Sequence, residues 1–478
     1  MNDNSLKIRF IQGILWKFFE RIGSQLVCFI SSIIMARILL PNEFGAFYII
    51  SFLVSLFSIL ILNGVGGALI QKKDIEDDDF NTMLIFSFFF SCFLYLILFV
   101  LSPFIAIFYN EPVISCALKI LGIVVIINSL YSIQSAYISR KLHFKRAFLV
   151  SLPSTIVSYV IAIYMAYSGY GIYSLIFQNL ISCGLISFFL CFVSKWNFSL
   201  NFSFDRLLSI LSFGKYLMVT GFLGIFFNEV RGLVIGGKFS TEELGYYNRG
   251  ASFPNIVSSN FDGVITSVLF PILSQKQYDS NIILFVKKLI SCESYVIFPV
   301  FVGLALIAEP LVQVLLTEKW ISCVPFFQIF CFQHLIGILN STNLVIIKSK
   351  GAGKLFLQLD IIKKAVILII FSFTVLFSSK IIAMGAILCE IVALVFNSAA
   401  TFKLIGYSLY EQMKDAFFSV HLTVIMGIVV FFIGCISVDH IFLLLFQIAG
   451  GIVSYVGLSF LTYNKCFFTL LTLLKMRG

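Results

Sequence analysis

Basic side chains lie inside long apolar stretches of this sequence, in a chain where charge is scarce. Of its 478 residues, 60% are hydrophobic and only 12% are charged. A lysine or arginine that faces lipid at mid-membrane would cost about 2.5–3.5 kcal/mol, so we expect these groups to face a protein interior or a wet cavity. Basic groups in such a place suit a large anionic substrate. The substrate-binding candidates are Arg21, Lys17, Lys215, Arg231, Lys119, Lys363 and Lys364.

The first apolar stretch is the most informative of these. Lys17, Arg21 and Ser24 recur at helical spacing and therefore share one face of a helix. Lys17 lies near the start of the stretch, where a lysine can also extend its ammonium to the lipid headgroups. Arg21 and Glu20 lie deeper, which favours a cavity-lining role for them.

Acidic residues within the spans are candidates for ion coupling, because protonation neutralises a carboxylate in a low dielectric. We select Glu20 and Glu229, which lie beside basic residues on two related helices. Glu229 and Arg231 are two residues apart, so they do not share a face, and a structural interhelical ion pair is an open alternative. The same two alternatives apply to Asp262, Glu293, Asp360 and Glu390.

The elements that must position these residues are membrane-spanning helices. Most apolar stretches reach the 17–25 residues that a helix needs to cross about 30 Å of hydrocarbon. The sequence predicts an all-α polytopic membrane protein with about 14 transmembrane helices. The predicted spans are 10–36, 44–70, 81–109, 113–138, 147–168, 171–194, 208–235, 246–273, 287–308, 322–347, 356–378, 381–403, 414–436 and 440–463.

Loop charges predict the orientation of these spans. Most loop lysines and arginines fall on one side, which should be cytoplasmic, and an even number of spans then places both termini in the cytoplasm. The net charge of +10 is explained by this loop bias, so we do not expect nucleic acid as a partner. The few basic loop residues on the other side are Arg37, Lys238, Arg249, Lys319 and Lys380.

An internal repeat divides the chain. Residues 43–45 (Glu-Phe-Gly) match residues 243–245 (Glu-Leu-Gly) at an offset of 200, and both segments begin a span. Parallel repeats with substrate at their interface are typical of one class of alternating-access transporter. We therefore predict a six-helix domain at 1–200, a second at 201–410 that repeats the first, and an additional helix pair with a cytoplasmic tail at 411–478.

The sequence gives little support for a metal site, a nucleotide site or catalysis. The 11 cysteines form no CxxC pair and the four histidines are scattered, so no metal site is predicted. The segment Gly351–Lys354 imitates the end of a P-loop, but it lacks the earlier glycine and the Ser or Thr that follows the lysine. We predict no catalytic residues and no cofactor, and energy must then come from a gradient.

Several ordered motifs resemble a known family. They lie at Ala68–Phe80, Phe108–Pro112, Arg140–Arg146, Gly169–Gly171 and Phe270–Ser274. In order and spacing they resemble Wzx/WzxC-type polysaccharide (O-antigen or teichuronic acid) flippases of the MATE-like multidrug/oligosaccharidyl-lipid/polysaccharide (MOP) superfamily. The resemblance implies two six-helix bundles in a V around a lumen. Relatives often carry an acid near the end of span 7, where this chain has Arg231, so that acid's role does not transfer.

The resemblance also implies a function: flipping of undecaprenyl-pyrophosphate-linked oligosaccharide across the bacterial cytoplasmic (inner) membrane for surface polysaccharide assembly, coupled to an ion gradient. The expected partners are that substrate, membrane lipids, a proton or sodium ion, and polysaccharide polymerase machinery. Two alternatives stay open. A MATE-type cation or drug exporter would need an acidic lumen, and a membrane polysaccharide polymerase would need a larger external loop than this chain offers.

Overall fold

The structure is a computed structural model, which describes residues 3–194, 199, 201–276 and 281–475. Within these ranges the chain is helical, without β-strands. Helices satisfy their own backbone hydrogen bonds, which the bilayer interior requires. The long helices are α1 (Asp3–Ile38), α2 (Pro41–Gln71), α3 (Asp77–Phe108), α4 (Val113–Lys141), α5 (Phe144–Tyr167), α6 (Ile172–Ser194), α7 (Phe204–Lys238), α8 (Thr241–Gln275), α9 (Ile282–Leu306), α10 (Val324–Ser349), α11 (Gly353–Thr374), α12 (Ser379–Ile405), α13 (Leu409–Gly434) and α14 (His440–Leu461).

Each of the 14 predicted spans falls on one of these helices, and the prediction of an all-α polytopic membrane protein is confirmed. Thirteen helices of the described chain are long and apolar enough to cross a membrane. The other helix, α11, carries Lys354, Asp360, Lys363 and Lys364 in its 22 residues. Its charge, rather than its length, sets it apart.

Several helices are interrupted or extended by short elements. A π-helical turn, Leu62–Gly66, lies within α2, and α4 is interrupted at Gly122. The chain between α9 and α10 forms a short helix, Ala308–Leu316, and a 3₁₀ turn, Glu318–Cys323. A final helix, α15 (Lys465–Lys475), follows α14.

Small polar residues are buried between the helices, while many large apolar side chains lie on their outer faces. Helix α3 shows this pattern clearly, since Ser87, Ser91 and Ser102 are fully buried while Phe89 and Phe104 are 68% and 64% exposed. Lipid is as apolar as phenylalanine, so it gives no reason to bury large apolar side chains, and small residues let neighbouring helices approach.

The chain forms two compact units, Met1–Gly245 and Tyr246–Gly478. Helix α7 packs against α2 and α3 in the first unit. Its Gly214 lies so close to the π turn that a Cβ atom there would be 2.7 Å from the carbonyl oxygen of Gly64. The predicted domains 1–200, 201–410 and 411–478 follow the order of the repeat rather than packing, and they stay a prediction.

The two glycines of the internal repeat contact each other's segments in the first unit. A Cβ atom on Gly45 would lie 1.7 Å from the carbonyl oxygen of Thr241, and one on Gly245 would lie 2.1 Å from that of Pro41. Pro41 and Thr241 are the first residues of α2 and α8. The two contacts are reciprocal. Each glycine packs against the carbonyl group of the first helical residue in the other segment, so neither position has room for a side chain.

We expect Gly45→Ala and Gly245→Ala each to destabilise the protein by about 1–3 kcal/mol, because the added methyl group would overlap backbone that cannot rotate away. The measurement is the thermal unfolding midpoint of purified protein in detergent. Gly184→Ala in α6 is the matched control. A Cβ atom there meets no atom within 4 Å, and alanine favours the helix by about 0.5–1 kcal/mol. Equal midpoints for all three variants would contradict the close approach.

Candidate functional site

The second unit contains a buried polar turn in the middle of α10. Its four consecutive residues are Asn340, Ser341, Thr342 and Asn343. Successive residues of a helix point about 100° apart, so the four side chains reach four different directions. Each one hydrogen-bonds to a different neighbouring helix, as described below, and we call this segment the polar turn of α10.

Asn340 connects the polar turn to α11 and α12. Its Nδ2 donates to the carboxylate of Glu390 at 2.7 Å and to the Glu390 carbonyl at 2.9 Å. Its Oδ1 accepts from Asn397 Nδ2 at 3.1 Å. Asn397 Oδ1 in turn accepts from the ammonium of Lys363 at 3.1 Å. A buried lysine and a carboxylate are thus joined through two amide side chains.

The other three residues of the polar turn reach α8, α9 and α13. The Ser341 hydroxyl donates to Asp262 on α8 at 2.6 Å. Thr342 donates to both carboxylate oxygens of Glu293 on α9, at 2.7 and 3.0 Å. Asn343 exchanges amide hydrogen bonds of 2.9 and 3.1 Å with Gln412 on α13. Buried polar groups that are paired in this way fix the relative position of helices.

Helix α4, the predicted repeat counterpart of α10, makes neutral polar contacts in its middle turns at Asn128, Ser129 and Ser132. Asn128 donates to Ser58 on α2 at 3.0 Å, and Ser132 donates to the carbonyl of Ile61 at 3.3 Å. The Ser87 hydroxyl of α3 lies 3.5 Å from the carbonyl of Ser129. The corresponding contacts of α10 involve three carboxylates, those of Asp262, Glu293 and Glu390, and, through Asn397, an ammonium group, so the two stretches differ in the charge of their partners.

The predicted residues of α1 form a local cluster in the first unit. The ammonium of Lys17 pairs with Glu20 at 2.9 Å, and the Lys17 side chain is 62% exposed. Ser151 on α5 donates to the other Glu20 oxygen at 3.0 Å. These three residues line a small cavity of about 50 Å³. The structure thus brings Lys17 and Glu20 together. Arg21 is exposed on the same helix, so the side chains of Lys17 and Arg21 are both accessible.

The remaining candidates of the first unit are dispersed. The ammonium of Lys119 lies 4.8 Å from the centre of the Phe99 ring, and that of Lys215 lies 5.2 Å from the Tyr216 ring. Both positions fit cation–π contacts. Glu229 accepts a hydrogen bond from the hydroxyl of Tyr48 on α2. Arg231, two residues further along α7, is half-buried.

Lys363 and Lys364 are adjacent in sequence but have different surroundings. Lys363 is 8% exposed and binds Asn397. Lys364 pairs with Asp360 at 2.9 Å, with about a third of each side chain exposed. Substrate binding by these residues stays a prediction. The sequence reasoning missed Asn340, Asn397 and Gln412, although four consecutive polar residues in an apolar span were a usable signal for the polar turn.

Asn397→Leu should destabilise the protein by at least about 1–3 kcal/mol, because the Lys363 ammonium would lose its amide acceptor in a buried place. The double substitution Asn397→Leu with Lys363→Met should recover most of that loss, since both polar partners are then gone. Lys364→Met is the control, and loss of its partly exposed pair should cost less than about 1 kcal/mol. Unfolding midpoints in detergent provide the comparison. A double variant no more stable than Asn397→Leu would contradict the coupling.

Comparisons with known proteins give this chain a family. Residues 34–325, more than half of the chain, match the family model described as "Polysaccharide biosynthesis protein". An uncharacterized membrane protein in the cps region of Klebsiella pneumoniae is 23% identical over 471 residues, which cover 96% of each chain. The teichuronic acid biosynthesis protein TuaB of Bacillus subtilis (strain 168) is 24% identical over 316 residues, 64% of each chain.

Among solved structures, the fold is similar to that of lipid II flippase MurJ in an inward closed conformation. The TM-score is 0.77 at 15% identity, over 95% of this chain and 99% of MurJ. This likeness concerns the fold, while the family model concerns the sequence, and the two agree on a multi-pass membrane protein. The chain belongs to the polysaccharide biosynthesis protein family, and the predicted resemblance to polysaccharide biosynthesis proteins of this kind, such as TuaB, is confirmed.

Proposed function

We propose that this protein is a transporter, not an enzyme, and that it flips undecaprenyl-pyrophosphate-linked oligosaccharide across the bacterial cytoplasmic membrane during surface polysaccharide assembly. The observation that carries the proposal is the pair of exposed basic residues Lys17 and Arg21 within the apolar stretch of α1 that follows Arg9. The names of the relatives, which refer to teichuronic acid biosynthesis and to lipid II flipping, support the same class of substrate.

The chemistry of such a substrate explains why a membrane protein needs basic groups. The sugars and the pyrophosphate are too polar to enter hydrocarbon, whereas the prenyl chain is stable there. A guanidinium binds phosphate oxygens through two parallel hydrogen bonds, and an ammonium acts as a point charge. We propose that Arg21 binds the pyrophosphate and that Lys17 adds charge, while the prenyl chain stays in lipid.

The proposal also covers the energy source for transport and the orientation of the protein in the membrane. With both termini in the cytoplasm, the basic loops would lie on the side where lipid-linked sugars are assembled. A proton or sodium gradient would drive transport, and Glu20 and Glu229 stay the proposed coupling acids in the first unit. Glu20 is partly neutralised by Lys17, and Glu229 is hydrogen-bonded by Tyr48. Polysaccharide polymerase machinery would accept the flipped product.

We expect Arg21→Glu to lower the flipping rate at least about tenfold, because it replaces a charge-assisted hydrogen bond with repulsion, and about 1.4 kcal/mol corresponds to a factor of ten. Arg21→Lys should retain part of the rate, since the charge remains and the bidentate geometry is lost. The measurement is transfer of a fluorescent undecaprenyl-pyrophosphate-linked oligosaccharide across reconstituted vesicles, supported by surface polysaccharide in a complemented deletion strain.

Lys380→Glu is the matched control, because it reverses a basic charge at the exposed start of α12. It should leave the rate unchanged at an equal protein level in the membrane. Full activity of Arg21→Glu would contradict pyrophosphate binding by this residue. Wild-type vesicles that move a cationic dye but no lipid-linked oligosaccharide would instead favour the cation exporter.

A further inference from the structure

Glu293, in the middle of α9, is a buried carboxyl group with very few partners. It is 9% exposed, and its two oxygens share one donor, the hydroxyl of Thr342. Thr342 is fully buried. An ionised carboxylate can accept about four hydrogen bonds and donates none. A single hydroxyl proton therefore leaves most of the acceptor capacity of this group unused.

Three other acids of the second unit are paired with basic or amide donors. Glu411 pairs with Lys287 at 2.8 Å, and Asp360 pairs with Lys364 at 2.9 Å. Glu390 accepts from Asn340 at 2.7 Å. In the described part of the chain, no basic residue forms an ion pair with Glu293 within 4 Å. A buried charge without compensation is so unfavourable that the group takes up a proton instead.

The charged groups around Glu293 strengthen this argument. The nearest acid is Asp262 on α8, whose carboxylate binds Ser341 at 2.6 Å and Ser258 at 3.2 Å. Ser341 and Thr342 are neighbours in the polar turn, so the two carboxyl groups flank the same turn of α10. A second negative charge at the same turn is unfavourable in a low dielectric. The other titratable groups on α9 and the helices packed around it are Lys287, Lys288, Cys292 and Tyr295 on α9, Cys331, His334 and Lys348 on α10, Tyr410, Glu411, Lys414, Asp415 and His421 on α13, His440 and Tyr455 on α14, and Lys465 and Cys466 on α15.

The oxygen atoms at Glu293 suit a proton better than a metal ion. Hard cations are held by about six or more oxygen ligands, whereas this place offers the two carboxylate oxygens and one hydroxyl. A threonine hydroxyl both donates and accepts. It can donate to the ionised carboxylate, or accept from the protonated carboxyl group, without any change of partner.

We propose that Glu293 and Thr342 form a proton-binding site, in which one proton on the carboxyl group of Glu293 keeps α9 packed against the polar turn of α10. Release of that proton leaves a buried anion with one donor. The protein relieves this state by moving α9 away from α10 so that water reaches the carboxylate. The link between the site and transport rests on the proposed function, whereas proton binding itself does not.

Carbodiimide labelling tests the proton directly in the full-length protein. N,N′-dicyclohexylcarbodiimide reacts with protonated carboxyl groups in apolar surroundings, and mass spectrometry gives the modified fraction at each residue. At neutral pH we expect Glu293 to be modified at least tenfold more than Glu411, the ion-paired carboxylate of the same unit. Labelling of Glu293 should decline as the pH rises, and the infrared carbonyl band of a protonated carboxylic acid should decline with it and be missing in Glu293→Gln.

Thr342→Val should move that decline to higher pH, because the ionised carboxylate loses its one donor. Thr401→Val is the matched control, since Thr401 is also fully buried, on α12, and forms no contact with Glu293. It should leave the pH profile unchanged. Absence of both the labelling and the infrared band in wild-type protein would overturn the site, as would equal profiles for the two threonine variants.

Transport measurements then separate the site from the proposed function. In reconstituted vesicles, Glu293→Gln should bind lipid-linked oligosaccharide and lose at least fivefold of the acceleration that an imposed pH gradient gives to wild-type flipping. A wild-type protein that shows the proton signature but moves no oligosaccharide would overturn the proposed function and leave the site intact. Unchanged gradient response in Glu293→Gln would overturn the coupling role of the site.

Discussion

Hydrocarbon cannot hydrogen-bond, and the polar turn of α10 shows how this constraint organises the second unit. Asn340 to Asn343 would each be very unfavourable against lipid. Each is instead paired with a different helix, so the turn connects α8, α9, α12 and α13, and reaches α11 through Asn397. The hydrophobic effect gives no preference for one apolar neighbour over another within a membrane. Polar pairing, with close packing, supplies that preference.

Around α4 in the first unit, buried polar groups are paired by hydrogen bonds between neutral groups. Its contacts at Asn128 and Ser132 of α4 are between hydroxyls, amides and carbonyls, and its helices approach through glycines at the π turn of α2 and at the start of α2 and α8. Its charged candidates lie at more accessible positions, as Lys17 and Arg21 do. One repeat thus exposes basic groups, while the other buries acids and a lysine within a network.

Gly45 and Gly245, which the sequence match aligns, each pack against the other's segment. Two short matches in a sequence of this length are weak evidence by themselves. In the structure, each glycine faces the carbonyl oxygen of the first helical residue of the other segment. Neither position has room for a Cβ atom, which gives a physical reason for a glycine in both matching segments.

The sequence by itself determined the class of protein. Apolar length and rare charge predict the membrane helices, because the bilayer sets both quantities, and ordered motifs identified the family. Helix α11, the one long helix of the described chain that is not apolar enough to be counted as a membrane span, was also predicted from the sequence, as span 356–378. The sequence also identified Lys17, Glu20 and Glu293 as candidates, since a charged residue is easily recognised within a run of apolar residues.

The partners of those charges were decided only by the tertiary structure. Lys363 and Lys364 are adjacent in the sequence, yet one is buried against Asn397 and the other pairs with Asp360 at the surface. Glu20 has a lysine within reach, whereas Glu293 has one threonine. Periodicity gives the face of a helix but not the helix that lies opposite, and the state of a buried charge depends on that neighbour.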